Sequence, residues 1–243
     1  MADTQPVSTP YDLWYWDGLP GRGEFVRLAM EAGGIAYRDC ARGPGGNDAI
    51  VEDMQKARDH PPFAPPYLVA GDLTIAQTAN ILLFLAARHD LAPRDEPGRL
   101  WAHQLQLTIA DMVAEAHDVH HPIASGRYYE EQKEAAAQRA EDFRGARMPK
   151  FLGYFERALT ANGEWLCGGE RWSYADLSLF QLVDGLKFAF PRRMETLAAQ
   201  YPRVMSLHAR VSALPALQEY FNSGRRLPYG DGLFRHYPEL DAA

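Results

Sequence analysis

Residues 63–84 read F-A-P-P-Y-L-V-A-G-D-L-T-I-A-Q-T-A-N-I-L-L-F, and the fold turns on how this stretch is divided. Two adjacent prolines, Pro65 and Pro66, lead into a short apolar run, Tyr67 to Ala70, with strand character. Gly71-Asp72 is hairpin chemistry, and Leu73 to Ile75 forms the returning strand. Gln77-Thr78 then opens an apolar run long enough to be a helix. Only X-Pro bonds adopt the cis form readily, so the cis form is open to the Pro65-Pro66 bond before the strand. A strand-hairpin-helix unit behind a Pro-Pro step gathers several backbone groups and the Gln-Thr pair into one small region, which suits a peptide-like ligand.

Working outward, Tyr11 to Trp16 (Y-D-L-W-Y-W) is an aromatic strand. Its alternation sets Tyr11, Leu13 and Tyr15 on one side and Trp14 and Trp16 on the other. Gly18 to Gly23 (G-L-P-G-R-G) is turn chemistry. Glu24 to Ala32 has helix spacing and is stopped by Gly33-Gly34. Ile35 to Cys40 is a second strand, so this first unit is β-α-β with parallel strands and a right-handed crossover. Ala49 to Arg58 is a short helix with Asn47 or Asp48 as its N-cap. The order to His89 is therefore β-α-β-α-β-β-α, an α/β domain assigned to residues 10–89. Residues 1–10 form a loose arm.

Asp90 to Pro97 is a linker, and an all-α domain is assigned to residues 98–223. Its helices are Gly98 to His120, Glu130 to Leu159 with a kink or join at Pro149, Ser173 to Lys187, Tyr201 to Ala213 and Pro215 to Phe221. S-Y-A-D at Ser173 to Asp176 is a capping-box pattern with Asp in place of Glu. Pro191 is a break, and the tail from Gly224 is irregular.

The bulk properties exclude several functions. The 243 residues carry a net charge of −7, which argues against a nucleic-acid partner. No run approaches the length of a membrane span, and the N-terminus lacks a signal-peptide pattern. Two distant cysteines, Cys40 and Cys167, make no disulfide framework and fit a reducing cytoplasm.

The order and spacing of these motifs resemble the cytosolic glutathione transferases, over Tyr11 to Phe221. Y-W-D at Tyr15 to Asp17 followed by G-R-G-E at Gly21 to Glu24 is similar to the first strand and helix start of the tyrosine-type (mu, pi, sigma) classes. P-Y-L at Pro66 to Leu68 resembles the family's cis-proline strand. Gln77-Thr78 resembles its Gln-Ser pair, and S-Y-A-D its helical-domain capping box. The resemblance implies a thioredoxin-like N-terminal domain, an all-helical C-terminal domain and a homodimer. It also implies glutathione as co-substrate and a hydrophobic small-molecule electrophile bound between the domains.

It further assigns roles by position. Tyr15 is the expected catalytic residue, donating a hydrogen bond to the glutathione sulfur; Tyr11 shares its face and is the rival. A free thiol ionises near ~8.5, and a donor to the thiolate lowers that value. Arg22 is carried over as the loop arginine that polarises the site, although Leu19-Pro20 adds a residue to the loop. Pro65 keeps a carbonyl for the cysteinyl part of glutathione but has no N–H, a loss of about 0.5–1.5 kcal/mol. Gln77 and Thr78 would receive the γ-glutamyl carboxylate at a helix N-terminus, where Thr78 also serves as an ordinary cap. Lys56 is either the counterpart of the lysine for the glycyl carboxylate or a solvated helix lysine, and Trp16 lines the site or packs between domains. Met112, His117, Tyr128 and Tyr129 are electrophile-pocket candidates by position, and Asp111 a candidate for the neighbouring subunit's site.

His117, His120 and His121 form an H-x-x-H-H cluster with His117 and His121 on one helix face. No H-E-x-x-H pattern accompanies it, and no metal is assigned. Three readings follow, of which a metal protein built on this histidine cluster is the least favoured. One is a transferase that joins the glutathione thiolate to an electrophile, with peroxide reduction or isomerisation open to the same site. Another is a binding protein of the same fold with weak or no conjugation activity.

Overall fold

The computed structural model describes residues 11–242. The expected arm at residues 1–10, the assigned start of the first domain at Pro10 and the final residue lie outside them. The elements in chain order are β1 (Tyr11–Trp14), α1 (Gly23–Ala32), β2 (Tyr37–Asp39), α2 (Gly46–Met54), β3 (Tyr67–Ala70), β4 (Leu73–Ala76) and α3 (Thr78–His89). After a short linker come α4 (Glu96–Asp118), α5 (Lys133–Asp142), α6 (Met148–Asn162), α7 (Tyr174–Ala189), α8 (Pro191–Ala198), α9 (Pro202–Ser212) and α10 (Pro215–Phe221).

The four strands form one sheet in the order β2-β1-β3-β4. β1 pairs parallel with β2 and antiparallel with β3, and β3 pairs antiparallel with β4. This mixed sheet with its helices is the expected thioredoxin-like domain, followed by an all-helical one. The alternation in β1 is as expected: Tyr11, Leu13 and Tyr15 are buried, and Trp14 and Trp16 are half-buried on the other face. One face joins the main core with α1 and α3. The other carries a small cluster of Ala41, Ile50 and Tyr67, joined by Trp14 and Trp16.

Several boundaries differ from the sequence reading. α2 runs from Gly46 to Met54, and Gly45, at φ 94°, turns the chain into its start. Neither Asn47 nor Asp48 caps it; the Asn47 side chain instead accepts the Asp17 N–H at 2.8 Å. α4 begins at Glu96, where the Asp95 side chain accepts the Gly98 N–H at 2.8 Å. The expected helix over Glu130 to Leu159 is two helices joined by a π-helical turn, Phe143–Arg147. Pro149 has no N–H for the ladder and its ring crowds the carbonyl four residues back, so the chain widens its turn just before it. Pro191 starts α8 rather than ending a helical region, because proline tolerates the first helical turn.

α7 is the centre of the helical domain and is buried along most of its length. The capping box forms as expected: Asp176 accepts Ser173 N and Ser173 Oγ at 2.7 Å each. Its other oxygen accepts the Leu166 N–H at 2.7 Å. The tail is irregular apart from a short 3-10 turn at Pro238–Leu240, yet it is firmly seated. Asp241 accepts the Arg192 and Arg193 N–H groups at 2.9 and 3.1 Å, capping α8.

Candidate functional site

The strand register brings the motif residues to one edge. Trp14 lies opposite Tyr67, and Tyr67 opposite Ala76. Tyr15, Pro66 and Gln77 are the next residues past this row, so the β1–α1 loop, the Pro-Pro step and the start of α3 converge. Pro65-Pro66 is cis. Tyr11 sits at the far end of β1. Its hydroxyl is 2.9 Å from His89 Nε2 at the C-terminal end of α3, away from Gln77 and Thr78.

Tyr15 is enclosed by the G-R-G loop. Its hydroxyl oxygen accepts the Arg22 N–H at 2.9 Å, and the side chain is only 6% exposed. Two glycines permit this closeness. A Cβ on Gly21 would lie 2.1 Å from Tyr15 Oη, and one on Gly23 2.6 Å from its Cγ. Gly21 also has φ 43°, in the region that favours glycine. Burial pushes the Tyr15 ionisation above the ordinary tyrosine range, opposed by the Arg22 hydrogen bond and the charges of Arg22 and Arg27. The phenol therefore stays protonated at neutral pH. The Arg22 N–H occupies one of its two acceptor positions and leaves its one O–H free to donate. The added Leu19-Pro20 is structural: the Pro20 carbonyl accepts Glu24 N at 2.9 Å and Arg27 Nη1 at 3.3 Å.

Beside this edge is a cavity of about 390 Å³ lined by Arg22, Phe25, Gln77 and Thr78 and by residues of α4. Gln77 holds a left-handed conformation, φ 69°, and no side chain caps α3. Thr78 is inside the helix and makes no capping bond, unlike the cap that its residue type suggests. The first N–H groups of α3 have no partner within the helix, and with the dipole they favour an anion.

Other candidates lie elsewhere. Lys56 is exposed and pairs with Asp53 at 2.6 Å; it does not line the cavity. Asp53, which also accepts the Tyr67 hydroxyl at 2.7 Å and pairs with Arg58, is a local hub on the outer face. Trp16 packs on that same face, opposite Tyr15. Met112 is in the core, Asp111 and Tyr128 are exposed, and Tyr129 stacks on Tyr237 at 3.8 Å.

The histidines contact one another. The ring centroids of His117, His120 and His121 are 4.7–5.1 Å apart. His120 Nε2 lies 3.1 Å from the Leu233 carbonyl, which can only accept, so that nitrogen carries the proton. His120 Nδ1 then accepts from His121 Nδ1, 2.7 Å away. Burial holds His117 below the ordinary histidine range, and the charge of Arg22 adds to this. Among the described residues no group has the arrangement to hold a metal ion.

The sequence reading missed His103 and Gln106, which line the cavity from α4. His103 Nδ1 and Gln106 Oε1 are buried with no hydrogen-bond partner among the described residues. The available signal was two polar side chains at i, i+3 on the face that carries Ile109 and Val113.

Comparisons with known proteins agree with this architecture. Residues 117–224 match the family model of the glutathione S-transferase C-terminal domain. A glutathione S-transferase of Plasmodium falciparum is 26% identical over 226 residues, 89% of this chain and 97% of that protein. Glutathione S-transferase 2 of Onchocerca volvulus is 29% identical over 217 residues, covering 86% of this chain and 91% of that one. In fold, the chain superposes on the Pi-class glutathione S-transferase of Onchocerca volvulus with a TM-score of 0.70 at 22% identity, over 92% of this chain and 99% of that one. Rat hPGDS, solved in complex with a quinoline, gives 0.68 at 21%, over 91% and 99%. Sequence, family model and fold converge: residues 117–224 match the glutathione S-transferase C-terminal domain, and most of the chain is similar in sequence and fold to glutathione S-transferases.

Proposed function

We propose that the protein is a glutathione transferase in which Tyr15 stabilises the glutathione thiolate for attack on a hydrophobic electrophile. The observation that carries this reading is the Tyr15 hydroxyl. It accepts the Arg22 N–H at 2.9 Å at the edge where the cis-proline step and the start of α3 meet, so its single proton is available to a sulfur anion. Glutathione would lie along this edge, with the Pro65 carbonyl toward the cysteinyl N–H. Its γ-glutamyl carboxylate would meet the uncapped start of α3 at Gln77 and Thr78. Arg22, lining the cavity beside Tyr15, adds positive charge near the anion. Lys56 and Trp16, facing away, have no place in this arrangement.

In the reaction the thiol proton passes to water and the sulfur forms a bond to the electrophilic carbon. With an aryl halide, the carbon–halogen bond breaks and halide leaves. The protein supplies orientation and stabilisation of the developing charge. Exposed Phe63, Leu100 and Leu107 support association with a second copy, the expected homodimer, in a cytoplasmic detoxifying role.

A second reading is a glutathione- or ligand-binding protein with weak conjugation. The low exposure of Tyr15 and the missing N–H of Pro65 favour it. A conjugation assay with a generic aryl halide separates the two. Tyr15→Phe should lower kcat/KM by about 100-fold with little change in glutathione affinity. A mutant as active as the parent would overturn the assignment, and a parent with no glutathione-dependent rate would favour the binding protein.

A further inference from the structure

Away from the Tyr15 edge, a second cavity of about 470 Å³ opens where the end of α3, the following linker and the starts of α4 and α7 meet. It shares no lining residue with the cavity beside Gln77. Arg88, Arg94 and Arg99 line it, and Asp90 is its one acidic lining residue. This concentrates positive charge on a chain whose net charge is −7. Asp90 is already engaged twice, accepting from Arg94 Nε at 2.8 Å and Arg171 Nη1 at 2.9 Å. Arg88 and Arg99 make no ion pair among the described residues. The Arg88 guanidinium instead lies 3.8 Å over the Phe84 ring, a stacking that orients it without neutralising it.

A second feature points to a ligand. Tyr174 lines the same cavity and is 1% exposed, yet its hydroxyl is buried with no hydrogen-bond partner. A buried hydroxyl left unpaired is costly and uncommon in native structures. Its neighbour Ser173 is held by Asp176 and cannot serve it. Burial pushes the Tyr174 ionisation well above the ordinary tyrosine range, so at neutral pH the group is a donor.

We infer that this cavity binds a small organic phosphate monoester, with Arg88 and Arg99 on the phosphate oxygens and the Tyr174 hydroxyl donating to the same group. Guanidinium forks match phosphate oxygens in pairs, and one phenolic donor completes the set. Leu83 and the neighbouring alanines give the organic part an apolar surface. Arg94, tied to Asp90, contributes charge more than contact.

Isothermal titration of the full chain with phenyl phosphate, in saturating S-methylglutathione, tests this. Phenol and inorganic phosphate serve as comparison ligands. One saturable site for phenyl phosphate is expected, with weaker binding of inorganic phosphate and none of phenol. Arg88→Gln and Arg99→Gln should each weaken binding about tenfold, and Tyr174→Phe about threefold. Because the Tyr174 hydroxyl bonds nothing in the protein, Tyr174→Phe should melt no lower than the parent, which separates lost binding from lost folding. Absence of saturable binding at millimolar phenyl phosphate would overturn the inference. So would equal affinity for phenol, or binding indifferent to the arginine substitutions.

Discussion

Tyr15 and Gly21 have to be considered together. The hydroxyl is useful only if it is held, kept protonated and left with a free proton; the Arg22 N–H holds it and leaves its proton free, and burial keeps it protonated. Gly21 is irreplaceable for two separate reasons: its φ of 43° and the 2.1 Å approach of an added Cβ to Tyr15 Oη. Gly18 separates them, since at φ 80° it has open space around it. Gly18→Ala should cost only the backbone penalty, about 1–2 kcal/mol. Gly21→Ala adds a steric clash worth about 1–3 kcal/mol more and should displace Tyr15, so that conjugation falls with it. Urea unfolding and the aryl halide assay on the two variants would show this, and equal effects at the two glycines would refute it. The sequence pointed to this loop through its glycines. Alternation alone did not separate Tyr11 from Tyr15, because it gives a face and not an end of the strand; the resemblance favoured Tyr15, and the His89 contact puts Tyr11 at the other end of β1.

At the scale of elements, the capping box of α7 is the clearest local determinant. Asp176 is fully buried and accepts three bonds, from Leu166 N, Ser173 N and Ser173 Oγ. Asp176→Ala would leave those donors unpaired in the core and should destabilise the protein by about 2–4 kcal/mol. Ser173→Ala, which removes the hydroxyl's bond to the Asp176 carboxylate and its bond from the Asp176 N–H, should cost about 1 kcal/mol. Urea midpoints at unchanged slope would measure both, and a loss below 1 kcal/mol for Asp176→Ala would contradict this role. Elements with signals of this local kind were legible in the sequence: the box at Ser173, the hairpin at Gly71-Asp72 and the aromatic alternation of β1. Those fixed by distant partners were not. α8 is capped by Asp241, some fifty residues later, and Pro191 alone looked like a break. The start of α2 depends on a left-handed Gly45, and the polar α4 residues His103 and Gln106 gain meaning only when the first domain packs against them.

Over the whole molecule, the tail binds the helical domain together. Leu233 accepts from His120, Tyr237 stacks on Tyr129, and the Tyr129 hydroxyl donates to Glu239 at 3.0 Å. Burial drives the folded His120 from an ordinary 6.5 down to about 3, against the opposing Leu233 bond and with help from His117 and Arg235. Between those values the unfolded chain binds a proton that the folded chain refuses. Stability should therefore be full above pH 6.5 and fall as pH drops through that window, by up to about 1.4 kcal/mol per pH unit for this group. His120→Gln should flatten the fall in urea stability between pH 6.5 and 5, and an unchanged slope would remove His120 as its source. The central claim, that Tyr15 stabilises a sulfur anion at the edge of the sheet, is tested most directly by titrating the ultraviolet thiolate absorbance of bound glutathione. The parent protein should ionise the thiol well below the ~8.5 of a free thiol, and Tyr15→Phe should return it toward that value. Identical titrations in the two proteins would contradict the account.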